Sequence, residues 1–388
     1  MLITKAAFTK LHCVLLLLFL FRQTALCQGK NDGAVINFVY SSDAHYGISR
    51  ADFRGDTNVA AYKVNAAMIR QMNTLPELTL PNGELVKAVD YLVQTGDVAN
   101  RMEYPIQSAA QSWKQFEHDY VQSITLKGHD GKPAKLLCVP GNHDISNAIG
   151  YPKPLKPLTD PTIMVNMYNQ MVKPKKALTN QTYNYQTDKV NYSLNIKGVH
   201  LMFITLWPDS AERIWMQKDL DTVARNTPVI IFTHDQPTCE AKHFTNPVPP
   251  YQMKPGNKFE NLTAEHYKEG VTAAADGGST EIEQRGWVKF LKLHPNIMAY
   301  FHGNSNWNEF YVYHGPDNDV KLNVFRVDSP MKGKYSAKDE TKLSFQLISL
   351  NTNKQTLTVS ECLWNTEPQN PSQKVIIGQT ATVSIKVP

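Results

Sequence analysis

Side chains of the types that bind cations and transfer protons occur in four short motifs of this sequence. The motifs are Asp43-Ala44-His45, Gly96-Asp97, Gly141-Asn142-His143-Asp144 and Thr233-His234-Asp235. Carboxylate, amide and imidazole groups can ligate divalent cations, and a histidine next to the cations can transfer protons. Two cations about 3.5–4 Å apart can neutralise the charge of a phosphoester and lower the pKa of a water molecule. The residue types therefore predict a metal-assisted hydrolytic centre for an anionic ester.

The motif Gly141–Asp144 is the most specific of the four. Patterns such as D-x-H and G-D arise by chance in many proteins, whereas four specified residues arise about once in 160,000 positions. Taken singly, the residues have ordinary structural explanations: Asp97 as a helix cap and His234 as a buried, hydrogen-bonded histidine. Their fixed order along the chain favours a site over these explanations.

Each motif follows a short apolar run, which predicts a buried strand that ends where the motif begins. A fifth such run precedes Gly303-Asn304-Ser305-Asn306. The five runs span Val35–Tyr40, Tyr91–Thr95, Leu136–Val139, Val229–Phe232 and Ile297–Phe301. Ligands of open α/β sheets bind beyond the carboxyl ends of the strands, so these loops should bring their side chains together.

Helices are predicted between the strands from amphipathic spacing. The stripes run from Val64 to Met72, from Ala109 to Tyr120 and from Ile214 to Leu220. After Leu343, apolar residues alternate with polar ones, a turn follows at Asn351–Lys354, and a second alternating run predicts a C-terminal hairpin.

The ordered set of motifs resembles the calcineurin-like metallophosphoesterases, which include purple acid phosphatases, cyclic-nucleotide phosphodiesterases and acid sphingomyelinases. The resemblance extends from about Val35 to Asn306. It implies an α/β fold, a four-layer αββα sandwich of two mixed β-sheets flanked by helices. It also implies an enzyme that hydrolyses phosphomonoesters or phosphodiesters through a metal-activated water.

The same resemblance implies how two divalent cations would be held. Asp97 would bridge them, Asp43 and His45 would ligate the first, and Asn142 and His234 would ligate the second.

In this scheme His143 would lie beside the cations and protonate the leaving group, and Asp144 would orient the ring of His143. Asp144 would also favour the protonated form of that ring.

The final motif departs from the family pattern G-H-x-H, because Asn304 and Asn306 replace its two histidines. By resemblance, Asn304 stands at a ligand of the second metal and Asn306 at a ligand of the first. Three outcomes remain open: a working site biased toward harder cations, a site that holds one metal firmly, or a catalytically silent binding protein on the same scaffold. The identity of the metal stays open among Mn, Fe, Zn, Mg and Ca. Asn100 replaces a tyrosine ligand of some relatives, which argues against a purple diiron centre.

The N-terminus has the features of a secretory signal peptide over residues 1–27. Lys5 and Lys10 precede the apolar run Val14–Phe21, and Ala25-Leu26-Cys27 resembles a cleavage site. We therefore expect a periplasmic or secreted protein whose residues 28–388 form one phosphoesterase domain. Insertions are predicted at about 151–192 and 240–286, and their aromatic residues could line a pocket or pack on the core.

Composition narrows the possible partners. No apolar run approaches the roughly 20 residues of a membrane-spanning helix. Removal of Lys5, Lys10 and Arg22 with the signal peptide would leave 37 basic and 35 acidic residues, a charge of +2. This balance gives no nucleic-acid signature, so the expected partner is a phosphoester substrate. The sequence leaves open whether Cys239 and Cys362 pair.

Overall fold

The computed structural model describes residues 35–100, 107–149, 159–238, 240, 243, 262–263, 281–370 and 372–388. Within these residues the chain forms fourteen strands and six α-helices. The strands are β1 Val35–Ser41, β2 Ser49–Phe53, β3 Asp56–Ala60, β4 Tyr91–Gln94, β5 Lys135–Cys138, β6 Tyr192–Ile196, β7 Val199–Phe203, β8 Val229–Phe232, β9 Ile297–His302, β10 Glu309–Tyr313, β11 Leu322–Arg326, β12 Ser344–Asn351, β13 Thr356–Leu363 and β14 Ile376–Ser384. The helices are α1 Ala61–Met72, α2 Ala109–Glu117, α3 Asn142–Ile149, α4 Thr162–Met171, α5 Ser210–Leu220 and α6 Glu281–Leu293.

Two six-stranded mixed sheets form the centre of the fold. The first has the strand order β14-β13-β12-β1-β4-β5, with β1, β4 and β5 parallel and the other pairings antiparallel. The second has the order β10-β11-β9-β8-β7-β6, in which β11, β9, β8 and β7 are parallel and the two edge strands antiparallel. Strands β2 and β3 form a separate hairpin. The five predicted strands lie in the parallel parts of these two sheets.

The two sheets pack face to face through a core of aromatic side chains. Tyr40 of β1 meets the ring of Phe301 of β9 edge-on at 5.5 Å between centroids. Phe232 of β8 stacks on Phe301 at 4.7 Å and on Phe203 of β7 at 5.0 Å. Strands buried on both faces read as continuous apolar runs, which is why the sequence shows no alternation there.

The helices cover the outer faces of the sandwich. Met171 at the end of α4 lies against β5, where its Sδ accepts a hydrogen bond from the backbone N–H of Cys138 at 3.4 Å. On the other side, Trp287 of α6 lies 6.1 Å from the ring of Tyr300 in β9. The three predicted helices correspond to α1, α2 and α5, and the predicted C-terminal hairpin is β12–β13. The four-layer αββα sandwich predicted from the sequence is therefore confirmed.

The predicted signal peptide, Cys239 and most of the segment 240–286 lie outside the described residues. Cys362 is buried and has no disulfide partner among the residues that the structure describes, so its pairing with Cys239 stays open. The aromatic Tyr185 of the first insertion packs in the core, and its hydroxyl donates to the carbonyl of Leu262 in the second. Among the helices that the structure describes, none is both long and apolar enough to cross a membrane.

Candidate metal centre

The loops that follow β1 and β4 run side by side and place two motifs in contact. The backbone N–H of Asp43 donates to the carbonyl of Gly96 at 2.9 Å, and that of His45 donates to the carbonyl of Asp97 at 2.8 Å. Farther along, the N–H of Asn100 donates to the carbonyl of Tyr46 at 3.0 Å. This pairing continues the parallel β1–β4 ladder beyond the sheet, so the first two motifs share one edge as predicted.

Several residues of the site adopt left-handed backbone conformations that non-glycine residues seldom adopt. The φ angles are 55° at Asp43, 45° at His45 and 52° at Asp97. Asn304 and Asn306 have φ angles of 58° and 64°. Such conformations cost about 1–3 kcal/mol each and cluster at functional sites, where the surrounding structure fixes them. Asparagine and histidine are among the residues that tolerate this region best.

Two motif glycines are required by close packing at the site. A Cβ atom on Gly141 would lie 2.3 Å from Asp97 Oδ1 and 2.7 Å from the ring of His234. A Cβ atom on Gly303 would lie 2.3 Å from Asp43 Oδ2. These glycines let the five motif loops approach one another closely.

Asp97 lies between the ligands expected for the first cation. His45 Nε2 is 3.5 Å from Asp97 Oδ2 and 3.6 Å from Asp43 Oδ1. All three side chains are almost fully buried. Asp43 Oδ1 and both ring nitrogens of His45 have no hydrogen-bond partner among the described residues. Buried polar atoms are normally satisfied, so these orphaned atoms fit the coordination of a cation.

The other oxygen of Asp97 lies at the ligands expected for the second cation. His234 Nε2 is 3.6 Å from Asp97 Oδ1 and 3.1 Å from Asn142 Oδ1. The opposite ring nitrogen, Nδ1, lies 2.6 Å from the carbonyl of Thr95, to which it can donate. That bond fixes the ring and directs Nε2 to the centre, as is usual for metal-binding histidines. The ligand atoms of Asp43, Asp97 and His234 all lie within 4.8 Å of one another.

Hydrogen bonds orient the side-chain amides of Asn304 and Asn306, and Asn304 contacts Asp43 of the centre. The backbone N–H of Asn304 donates to Asp43 Oδ2 at 3.0 Å, and its side-chain Nδ2 donates to Asp235 Oδ1 at 2.7 Å. Asn306 Nδ2 donates to the carbonyl of Asn304 at 2.6 Å. Asn306 Oδ1 is buried without a hydrogen-bond partner in the described part of the chain. Since Asn306 Nδ2 donates to a protein acceptor, its unpartnered Oδ1 is the atom that remains as a candidate ligand for a cation.

His143 lies at the more open side of the centre. Its side chain is 16% exposed, and its Nε2 is 3.8 Å from Asp97 Oδ2. The ring meets that of His45 edge-on at 4.9 Å, and the backbone N–H donates to Asp97 Oδ1 at 2.8 Å. His45, Asp97 and His143 also satisfy the spacing of a metal-binding group. A histidine at this position could donate a proton to a bound substrate. It is also close enough to His45 and Asp97 to ligate a cation.

Asp144 holds two loops of the site together. Its buried carboxylate accepts hydrogen bonds from the backbone N–H groups of Val98 at 3.2 Å, Ala99 at 3.0 Å and Gly141 at 3.0 Å. These bonds join the Asp97 loop to the start of α3. Burial, followed by the charge of Asp97, raises the pKa of Asp144 to about 7. This structural role was not predictable from the sequence, and orientation of His143 by Asp144 stays a prediction.

The carboxylates give the centre a negative electrostatic potential. Burial lowers the pKa of His234, but Asp97, Asp43 and Asp235 outweigh burial and raise that pKa to about 9. Burial, and then the charge of Lys332, lower the pKa of His45, which favours the neutral form that ligates metals. Burial raises the pKa of Asp43, yet its interactions with the histidines prevail and lower it. The centre therefore favours positive charge, which a divalent cation would supply.

Three further residues contribute to the site in roles that were not predicted from the sequence. Asp235 follows His234 directly and binds Asn304, and its Oδ2 lies 2.5 Å from His243 Nδ1. Ser329 Oγ donates to the carbonyl of Asp43 at 2.9 Å, and Lys332 lies nearby. Of these three residues, only Asp235 could have been suspected from the sequence, because it directly follows the expected ligand His234.

Comparisons with known proteins show the family to which the chain belongs. No curated protein sequence matches the chain. Among solved structures, a dimetal phosphatase from Danio rerio shares 8% identity, with 88% of this chain and 98% of that chain covered and a TM-score of 0.45. A phosphopantetheinyl hydrolase from Mycobacterium tuberculosis shares 13% identity, with 77% and 91% covered and a TM-score of 0.34. Residues 37–257, more than half of the chain, match the calcineurin-like phosphoesterase family. The chain therefore belongs to the calcineurin-like phosphoesterases.

Proposed function

We propose that this protein is a metal-dependent phosphoesterase whose centre holds two divalent cations. The observation that carries the proposal is the convergence of Asp43, Asp97 and His234 around one buried volume. Family membership supports a phosphoester hydrolase, and the orphaned atoms of Asp43 and His45 support bound metal. Bound cations would neutralise phosphate charge and lower the pKa of a water molecule.

The site residues would act as metal ligands, as a proton donor and as groups that orient the ligands. Asp43, His45 and Asn306 would hold one cation, and Asn142, His234 and Asn304 the other, with Asp97 contributing an oxygen to each. His143, the more exposed of the site histidines, would protonate the oxygen of the leaving group. Thr95 and Asp235 would keep their ligand partners oriented through the hydrogen bonds described above.

A catalytically silent binding protein is the second candidate, because asparagines occupy two positions where relatives have histidine. The orientation of both amides argues for the enzyme. Their nitrogens are engaged with protein acceptors, and Asn306 Oδ1 is left for an external partner.

Removal of metal tests the proposed function. Dialysis against a strong chelator should reduce hydrolysis of p-nitrophenyl phosphate to the uncatalysed rate, and Mn²⁺ should restore it. The ligands are oxygen and imidazole donors without thiolate, so a chelator can compete for the metal. Metal analysis must accompany the assay. Undiminished activity in a preparation shown to be free of metal would contradict the proposal.

We also propose that the protein is exported from the cytoplasm. The support is the charged start, apolar run and small-residue site of residues 1–27, a segment outside the described residues. Expression of the full chain in its host should yield a mature protein that begins near residue 28. Intact-mass measurement of the exported and cellular fractions checks this, and an unprocessed chain confined to the cytoplasm would contradict it.

A further inference from the structure

An aromatic and cationic surface adjoins the metal centre next to Asn306. Trp307 follows Asn306 directly in the chain, and the backbone N–H of Lys334 donates to the carbonyl of Asn306 at 2.6 Å. Tyr335 follows Lys334, and its side chain is 50% exposed. We call the surface formed by Trp307, Lys334 and Tyr335 the aromatic rim. A covalent link and a hydrogen bond therefore join the aromatic rim to an expected ligand of the first cation.

The ring of Trp307 is held in place by the second sheet. Arg326 at the end of β11 lies opposite Glu309 of β10 in the antiparallel ladder and forms an ion pair with it. The guanidinium carbon of Arg326 lies 3.4 Å from the centroid of the Trp307 ring. A guanidinium stacks favourably on an aromatic face, and more strongly where it is shielded from water, as the buried Arg326 is. The strands therefore fix the orientation of this part of the aromatic rim.

The two rings of the aromatic rim form a corner. The ring of Tyr335 meets that of Trp307 edge-on, with centroids 6.4 Å apart and planes at 74°. The ammonium of Lys334 lies 4.1 Å from the centroid of Trp307 and 5.4 Å from that of Tyr335. A planar group can stack on one ring of such a corner and place its edge against the other. The ammonium favours a planar group that carries hydrogen-bond acceptors.

We propose that the aromatic rim is a subsite for the leaving group of the substrate and that it binds a purine base. This inference rests on the proposed function. When a phosphoryl group is bound at the metal centre, the leaving group must extend past the residues that border the centre. Aromatic side chains stack on nucleobases because every base has a π face. A purine also has acceptor atoms that lysine can bind, N7 in both purines and O6 in guanine. The protein should therefore hydrolyse purine nucleoside phosphates in preference to sugar phosphates.

Guanosine 5′-monophosphate and ribose 5-phosphate test the subsite, because they share the leaving oxygen and only the first carries a base. In Tyr335→Ala, the ratio of kcat/KM for the nucleotide to kcat/KM for the sugar phosphate should fall about tenfold, chiefly through KM. A tenfold change corresponds to about 1.4 kcal/mol, within the usual cost of removing one stacking side chain. Tyr335→Phe keeps the ring and should keep the ratio.

Tyr62 provides the matched control, since it is a tyrosine of α1 that is 44% exposed. Tyr62→Ala should leave the ratio unchanged. An unchanged ratio in Tyr335→Ala would overturn the subsite. Phenyl phosphate, whose ring is bonded directly to the ester oxygen, should be affected little by Tyr335→Ala. A loss with phenyl phosphate as large as that with the nucleotide would overturn the assignment to a purine base.

A binding measurement separates this inference from the proposed function. The Mn²⁺-loaded protein is titrated by calorimetry with the non-hydrolysable phosphonate analogue of guanosine 5′-monophosphate and, separately, with inorganic phosphate. In Tyr335→Ala, the Kd for the analogue should rise about tenfold, whereas the Kd for phosphate and the metal content should stay unchanged. Equal weakening of both probes would make Tyr335 a support of the centre and overturn the subsite. A wild-type protein that binds the analogue through Tyr335 but hydrolyses no phosphoester would contradict the proposed function and leave the subsite in place.

Discussion

Asp97→Asn should abolish hydrolysis of every phosphoester, by about a thousandfold or more in kcat/KM. The two oxygens of Asp97 point to different ligand groups, one 3.5 Å from His45 Nε2 and the other 3.6 Å from His234 Nε2. An asparagine offers one oxygen and no charge, so it cannot serve both cations. Metal catalysis is worth several kcal/mol, and each 1.36 kcal/mol corresponds to tenfold in rate. Steady-state kinetics with metal analysis checks the result.

His143→Ala should give a different pattern, because proton transfer matters most for poor leaving groups. We expect the metal content to be retained and the rate with alkyl esters to fall about 10²–10⁴-fold, the usual contribution of a general acid. Activated aryl esters should be affected much less. His118, whose side chain is 66% exposed at the end of α2, offers a control in His118→Ala.

Equal losses across leaving groups would show that His143 is not the general acid. Loss of one metal from His143→Ala would instead identify this histidine as a ligand, which its spacing to His45 and Asp97 permits. Normal activity of Asp97→Asn with any ester would contradict the shared role of that carboxylate.

The positions of the motif residues were predictable because each follows a strand that is buried on both faces. Such strands leave continuous apolar runs in the sequence, and a loop must begin where the run stops. The runs before Asp97 and His234 are of this kind, and the structure confirms both strands. The order of the motifs predicted that their loops meet at one edge of the sheets, whereas the assignment of each residue to a cation rested on the resemblance to the family.

Other contributors could not be predicted, because their roles depend on contacts between distant segments. Ser329 bonds to Asp43 across 286 positions, and neither Ser329 nor Lys332 belongs to a recognisable pattern. The carboxylate of Asp144 reads in the sequence as a partner of its neighbour His143. Its hydrogen bonds to the backbone of Val98 and Ala99 depend on how the loop after β4 packs against the start of α3, which the sequence does not indicate.

The double replacement Asn304→His with Asn306→His should tighten metal binding and shift its preference toward zinc. Imidazole is a better donor than a neutral amide oxygen, and it suits zinc, whereas oxygen ligands suit Mg²⁺, Mn²⁺ and Ca²⁺. Both backbones lie in the left-handed region that histidine tolerates, and His45 of the same centre already adopts it. We expect about 100-fold tighter zinc binding. Mutation of residues that only hydrogen-bond to metal ligands changes metal affinity about 10–100-fold, so replacement of two ligands should reach the upper end of that range. Competition with a zinc chelator of known affinity measures the change.

The natural protein should accordingly prefer the harder cations, and its turnover should be higher with Mn²⁺ or Mg²⁺ than with zinc. Asn318 provides a matched control, since it is an exposed asparagine with a φ of 55° away from the centre. Asn318→His should alter neither zinc affinity nor turnover. Two firmly held zinc ions in the unmodified protein would contradict the preference for harder cations. Inactivity of the natural protein with every divalent metal, combined with activity of the double variant, would instead identify the natural chain as a silent member of the family, because only the two amides would then separate it from a working enzyme.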